Sequence, residues 1–320
     1  MKRVGVIGSF VWDVIHGRDP GERAVEEWGG ITYALSAFDA ALPDDWQVVP
    51  LAKVGVDLWP RARQFVSTMR RAAPDAAPIE VRAQNNRVRL AYTTDELRSE
   101  VMQGGVPPWA WAGLAPLLRD LDALYVNLIS GFELDLETMQ MVRRHFGGPI
   151  YCDLHSLLLG IQPDGTRVPQ GIPSPEAWFA CADMIQVNEL EMSMMAPDPL
   201  ALAARALGTG VQSLIVTLGK RGAVYFVSPG FDALRDLGRP PSTGVGPVRT
   251  ALVPAERAEV NPGDPTGCGD VLGATHFSRL LAGDRFGEAL RAGIHAAARN
   301  VAYRGATGLA SYLRGELIRT

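Results

Sequence analysis

The run Asn261-Pro-Gly-Asp-Pro-Thr-Gly-Cys-Gly-Asp270 joins a glycine-rich turn to a carboxylate, and small and apolar residues, Val271-Leu-Gly-Ala-Thr275, follow at once. Without Cβ atoms at Gly267 and Gly269 the backbone can turn sharply and bring its amides close to an anion. The pattern predicts a helix from about Asp270 to Leu281, whose positive end would carry the N–H groups of Gly267, Cys268 and Gly269. A carboxylate beside an anion costs Coulomb energy unless it does chemistry, and a general base for phosphoryl transfer would justify Asp270. A helix cap on an ordinary turn is the other reading, and the spacing alone leaves both open. Gly267-x-Gly269-x-x-x-Gly273 falls one residue short of a dinucleotide fingerprint. It lies far along the chain, with no strand bearing a ribose-binding acid at about 20 residues beyond it.

Three further constellations carry chemistry. Asn188-Glu-Leu-Glu191 follows an apolar run, 184–187, and reads either as a capping box or as a pair holding the waters of a Mg²⁺ ion. Thr217-Leu-Gly219 follows the run 213–216, a position where α/β sheets bind ligands. Asp13 after the first apolar run, with Gly29-Gly30, offers a carboxylate and open amides to sugar hydroxyls, or else a solvated acid and a turn. No P-loop sequence occurs, and the five histidines show no metal pattern. Cys152-x-x-His155 reads as a buried thiol and a satisfied imidazole, and Trp109 and Trp111 as packing residues.

These groups need a scaffold. Short apolar runs at 4–7, 47–51, 123–128, 150–152, 184–187 and 213–216 alternate with helical patterns at 32–41, 59–71, 136–146 and 200–207. Runs with little alternation are strands buried on both faces, so the fold class is α/β, a three-layer, doubly wound, mostly parallel sheet. Residues 83–94 alternate polar and apolar, and 14–28 are short and charged. Together they predict a small β lid over the cleft, near 14–30 and 83–95, that would exclude water. Residues 235–253, rich in Gly and Pro, read as a long loop. The 320 residues are 47% hydrophobic and 21% charged with a net charge of −4, which suits a globular protein and argues against nucleic-acid binding. No run approaches the roughly 18 apolar residues of a membrane span. Three scattered cysteines fit a reducing cytoplasm.

Taken in order, Asp13, Gly29-Gly30, Lys53-Val-Gly-x-Asp57, Asn188-x-x-Glu191, Thr217-Leu-Gly219 and Asp264-Pro-Thr-Gly-Cys-Gly-Asp270 resemble the ribokinase-like, or PfkB, carbohydrate kinases over nearly the whole chain. The last motif is close to the family's Asp-Thr-x-Gly-Ala-Gly-Asp. The resemblance implies one ribokinase-like domain over 1–320 that transfers a phosphoryl group from ATP to a hydroxymethyl group of a sugar or nucleoside. It implies Asp270 as the base, the amides of Gly267, Cys268 and Gly269 as an anion hole, and Asn188 and Glu191 as the Mg²⁺-phosphate motif. Thr217 and Gly219 resemble nucleotide contacts, and Asp13, Gly29 and Gly30 acceptor contacts. Some members hold a monovalent cation such as K⁺ beside the anion hole, where Asp264 and the backbone near Gly305 stand here. A homodimer is one assembly the resemblance allows.

The chain departs from the family at four places. The Asn of Gly-Gly-x-x-x-Asn is Ala34, the usual Asp-x-Asn is Asp153-Leu-His155, Pro265 replaces Thr and Cys268 replaces Ala. The first two leave the acceptor open. Phe10, Trp12 and Tyr33 could stack a nucleoside base there, or pack in the core. A non-catalytic relative is the alternative from another class. At Cys268 a helix start would lower the thiol pKa and expose the anion hole to oxidation, unless the residue only fills the small Ala position.

Overall fold

The apolar runs become the central sheet of the computed structural model, which describes residues 1–16, 24–92, 98–238, 247–256 and 264–316. Eight strands lie in the spatial order Arg249–Val253, Ala223–Val227, Ser213–Thr217, Met184–Asn188, Ile150–Asp153, Ala123–Asn127, Lys2–Ile7 and Trp46–Leu51. The six from Ser213–Thr217 to Trp46–Leu51 are parallel. Ala123–Asn127 and Ile150–Asp153 are buried at every residue, as expected of strands covered on both faces.

Alternate residues of these strands feed two cores. Tyr125, Tyr151, Met184 and Ile215 pack with the helices Ile31–Ala41, Cys268–Leu281 and Phe286–Asn300. Leu124, Val126, Ile150 and Ile185 point the other way, towards Leu136–His145 and Pro199–Gly208. The result is helix, sheet and helix in three layers, in agreement with the sequence. The helix expected over 59–71 stops at Ser67, and the one expected from Asp270 begins at Cys268.

The stretch read as a loop over 235–253 is partly strand. Arg249–Val253 pairs antiparallel with Ala223–Val227 at the sheet edge. Its side chains are mostly exposed, so it lacks the apolar run that marks an inner strand. Residues 239–246 lie outside the described residues.

A second sheet, in the order Val25–Gly30, Phe10–His16, Arg87–Tyr92 and Arg98–Gln103, stands where the lid was expected. Its own apolar cluster contains Val11, Ile15, Val88, Leu90 and Met102. Two of these strands were not legible: Phe10–His16 reads as an ordinary continuation of the first strand's loop, and Arg98–Gln103 has no clear alternation. Residues 17–23 and 93–97 of the expected lid lie outside the described residues. A hairpin of Leu159–Ile161 and Arg167–Pro169 adjoins this sheet, with the Met102 amide donating to the Gly165 carbonyl at 2.8 Å. Among the described residues no helix is long and apolar enough to cross a membrane.

Candidate active site

Four parallel strands end on polar residues: Asn127, Asp153, Asn188 and Thr217. Open α/β sheets bind ligands outside these carboxyl ends, and a cleft lies there. Asp13, Gly30, Asn188, Glu191, Thr217, Gly267, Gly269 and Asp270 all line it. Sequence positions more than 250 residues apart thus meet around one space.

The glycine run does what its composition requires. Gly267 caps the helix Cys268–Leu281 with φ at 75°, a left-handed conformation that favours glycine. A Cβ there would also lie 2.2 Å from Cγ of Tyr33. The amides of Gly267 and Gly269 stand at the helix start, which has no intrahelical acceptor for them. The Cys268 amide instead donates to the Pro265 carbonyl at 3.2 Å, so the turn itself uses one of the three expected anion-hole donors.

Asp270 sits in the first turn of this helix, and Nδ2 of the fully buried Asn127 donates to its Oδ1 at 2.7 Å. Gln186 Nε2 donates to Asp153 Oδ2 at 2.7 Å and to the Gly269 carbonyl at 3.0 Å, tying the helix start to the sheet. Tyr151 holds Gln186 in turn, donating to Oε1 at 2.8 Å. Asn127 and Gln186 were missed because each is one polar residue in or after an apolar strand, with no motif around it. A polar residue closing a buried strand was the available signal.

Asn188 and Glu191 form the capping box. The Glu191 amide donates to Asn188 Oδ1 at 2.9 Å and the Asn188 amide to Glu191 Oε2 at 2.7 Å. Oε1 of Glu191 meets His155 Nδ1 at 2.8 Å. His155 therefore joins the cleft wall, beyond the role of a satisfied histidine expected for it. Burial alone would lower its pKa, but the hydrogen bond and charge of Glu191, then Asp153 and Asp270, push it up to about 10. Burial raises Asp153 well above the carboxylate range; His155 opposes this, and Glu191 and Asp270 add to it.

The remaining expected residues divide. Gly29 underlies Asp13: a Cβ would lie 1.8 Å from Asp13 Oδ2, so this glycine makes room for the carboxylate. Gly219, with φ at 55°, faces open space just beyond Thr217. Phe10 and Trp12 are buried and pack edge-on against Trp28, so neither offers a ring to the cleft. Only Tyr33 of the three aromatics lines it.

Cys268 takes the second of its two readings. Its thiol turns away towards the helix Phe286–Asn300, where Sγ donates to the Ala297 carbonyl at 3.4 Å and accepts from Asn300 Nδ2 at 3.3 Å. Burial pushes the thiol up to about 12; the Asn300 hydrogen bond lowers it less than burial raises it, and Asp264 and Asp270 add to the rise. Desolvation outweighs the helix start, and the residue fills the small Ala position.

Among the described residues no group of three or more His, Cys, Asp or Glu side chains could hold a metal ion by itself. Asn188 and Glu191 still fit a Mg²⁺ ion held through water, since Mg²⁺ usually keeps several waters and takes direct ligands from phosphates. Asp264 suits a monovalent cation less well. Its Oδ1 accepts the Thr266 amide at 2.9 Å, and Arg304 Nε faces Oδ2 at 3.9 Å.

Residues 167–311 match the model of the pfkB family carbohydrate kinases. The fold of nearly the whole chain is that of solved ribokinase-family structures. A Burkholderia thailandensis nucleoside kinase in complex with inosine is 18% identical with a TM-score of 0.69, over 98% of this chain and 95% of that one. A ribokinase from Thermotoga maritima is 18% identical with a TM-score of 0.68, over 96% and 95%. A pyrophosphate-dependent kinase of the ribokinase family, complexed with a pyrophosphate analog and myo-inositol, is 12% identical with a TM-score of 0.70, over 95% and 96%. No curated protein matches the sequence. The fold is thus ribokinase-like, and residues 167–311 are similar to the pfkB family carbohydrate kinases. The pfkB match itself spans residues 167–311, the part of the chain that holds Asn188, Glu191, Thr217 and the glycine run up to Asp270.

Proposed function

We propose that the protein transfers the γ-phosphoryl group of ATP to a primary alcohol of an uncharged sugar or sugar derivative. The observation that carries this reading is the placement of Asp270 in the cleft, oriented by Asn127 at 2.7 Å and beside the open amides of Gly267 and Gly269. Asp270 takes the proton of the acceptor hydroxyl as its oxygen bonds the γ-phosphorus, and the bond to the β,γ-bridging oxygen breaks with its electron pair leaving on ADP. The two glycine amides stabilise charge on the phosphoryl oxygens. Thr217 and the open turn at Gly219 hold the nucleotide. Bound Mg²⁺ would neutralise phosphate charge, with Asn188 and Glu191 holding its waters.

The acceptor end supports an uncharged substrate. Asp13 and Glu100 line it with Val11, Val88, Leu90 and Ile129, and no Lys or Arg is among the described lining residues. A sugar phosphate would meet the carboxylates of Asp13 and Glu100, while His155, the cationic group of the described lining, is already paired with Glu191. The apolar strip also fits a nucleoside, the class bound by the Burkholderia neighbour. Three free cysteines suit a reducing cytoplasm for this reaction.

The test is a panel of uncharged sugars, polyols, sugar phosphates and nucleosides with ATP and Mg²⁺, and a second arm with pyrophosphate as donor. Asp270→Asn is expected to keep ATP binding and lose about 10² to 10⁴ in turnover. Turnover within a few fold of the parent enzyme removes Asp270 from the role of base, and preference for pyrophosphate overturns the donor.

A further inference from the structure

Tyr33 has no part in the reaction as written, yet it is placed where the acceptor must sit. It belongs to the helix Ile31–Ala41, directly after Gly29-Gly30, and is only 2% exposed. Its ring lies against the backbone of Gly267, where a Cβ would come within 2.2 to 2.6 Å of three ring carbons. This contact fixes the phenol in one orientation at the start of the anion-hole helix. The residue lines the cleft although it is nearly buried, and its hydroxyl has no hydrogen-bond partner among the described residues. Buried tyrosine hydroxyls usually find a partner. A nearly buried one on a cleft wall is a candidate for contact with whatever the cleft binds.

The neighbours define what that ligand offers. Asp13 and Asp270 line the same space, and an ionised carboxylate only accepts hydrogen bonds. Acceptor hydroxyls can therefore give their protons to Asp13 and Asp270, but neither acid can serve the lone pairs of the attacking oxygen. A phenol can. Burial, followed by the charges of Asp13, Asp264 and Asp270, holds the Tyr33 pKa well above its usual value, so it keeps its proton to donate.

We infer that Tyr33 is a specificity-determining acceptor contact, its hydroxyl donating to the substrate alcohol oxygen while Asp270 receives that alcohol's proton. The contact selects a lone pair aimed away from the two acids. It rests on Asp270 being the base. It also accounts for the loss of the family's Asn at Ala34: a polar group one position earlier on the same helix takes over acceptor recognition.

Tyr33→Phe tests this, because it keeps the ring over Gly267 and removes only the oxygen. The probes are uncharged compounds, with myo-inositol and inosine in the panel, and the best one phosphorylated by the parent enzyme is carried forward. One neutral hydrogen bond predicts a rise of roughly 3- to 10-fold in the acceptor KM, with the ATP KM and the melting temperature unchanged. An acceptor KM within twofold of the parent value overturns the inference. Equal rises in both KM values with a lowered melting temperature also overturn it, since that is the signature of a structural role. Asp270→Asn run in parallel separates the two ideas. If that variant turns over normally, the base assignment fails; if it is dead while Tyr33→Phe matches the parent, only the tyrosine contact fails.

Discussion

Asn127→Ala asks how much of the reaction depends on aiming the base. Asn127 closes the fully buried strand Ala123–Asn127, and its Nδ2 donates to Asp270 Oδ1 at 2.7 Å. A hydrogen bond to a charged group contributes about 1.5–3 kcal/mol. If that energy serves to hold the carboxylate in its productive rotamer, its loss appears in turnover as roughly 10- to 150-fold. The amide oxygen, Oδ1, is buried without a partner, so truncation forfeits no hydrogen bond there and the fold should tolerate it. The assay is ADP release coupled to NADH oxidation, with KM for both substrates and a melting curve. Expected is a fall confined mainly to kcat. Asn127→Asp sharpens the test, since a second carboxylate beside Asp270 favours its protonated form and moves the acid limb of the rate profile to higher pH. A kcat within twofold of the parent enzyme in the Ala variant, with the protein folded, refutes positioning by Asn127.

Two further outcomes follow from the electrostatics of the cleft. With its thiol near 12, Cys268 is roughly 10⁻⁴ thiolate at pH 8, so iodoacetamide should leave turnover intact over hours; rapid inactivation traced by mass spectrometry to Cys268 contradicts the buried placement. His155 has a folded pKa of about 10 against an unfolded value of 6.5, so its contribution to stability is full below 6.5 and lost as pH rises through 10. The ring is 35% exposed, so solvent screens part of this effect and only its direction is assigned. His155→Gln should flatten the urea midpoint between pH 7 and 10.5 relative to the parent, and equal slopes in both proteins rule out the imidazolium.

Legibility followed period and motif. The six buried parallel strands announce themselves as apolar runs because both faces are covered, and the glycine run is readable because left-handed backbone and close approach leave few alternatives to glycine. Arg249–Val253 escaped because an edge strand with exposed side chains has no apolar signature, and Arg98–Gln103 because the lid sheet buries too little of it. At the site, motif residues were found and their supports were not. Asn127 reaches Asp270 and Gln186 reaches the Gly269 carbonyl across more than 80 residues of chain, and single polar residues carry no spacing that could reveal them; Tyr33 was singled out only as a ring that could stack. Cys268 marks a different limit: the sequence leaves a thiol activated by the helix start and a filler of the small Ala position side by side, and the burial against Asn300 and Ala297 that decides for the filler shows only in the fold.

Asn188 and Glu191 show why a structural and a functional reading of one motif need not compete. The capping box is complete in both directions, so the bland account of Asn188-x-x-Glu191 is physically sufficient for the helix Glu189–Met195. The same bonds, however, immobilise Glu191 with one oxygen on the Asn188 amide and the other on His155, at the end of a parallel strand and in the cleft wall. A group meant to orient the waters of a phosphate-bound cation must not swing, because misplacement by about 1 Å can cost 10²-fold in rate. Capping is thus a cheap way to hold a carboxylate still, and helix starts at strand ends are where the fold already points it at the donor. The same logic holds for Asp270, which stands in the first turn of its own helix and is aimed by Asn127. In both cases the local helix-start rule supplies rigidity, and the carboxyl edge of the sheet turns that rigidity into a site.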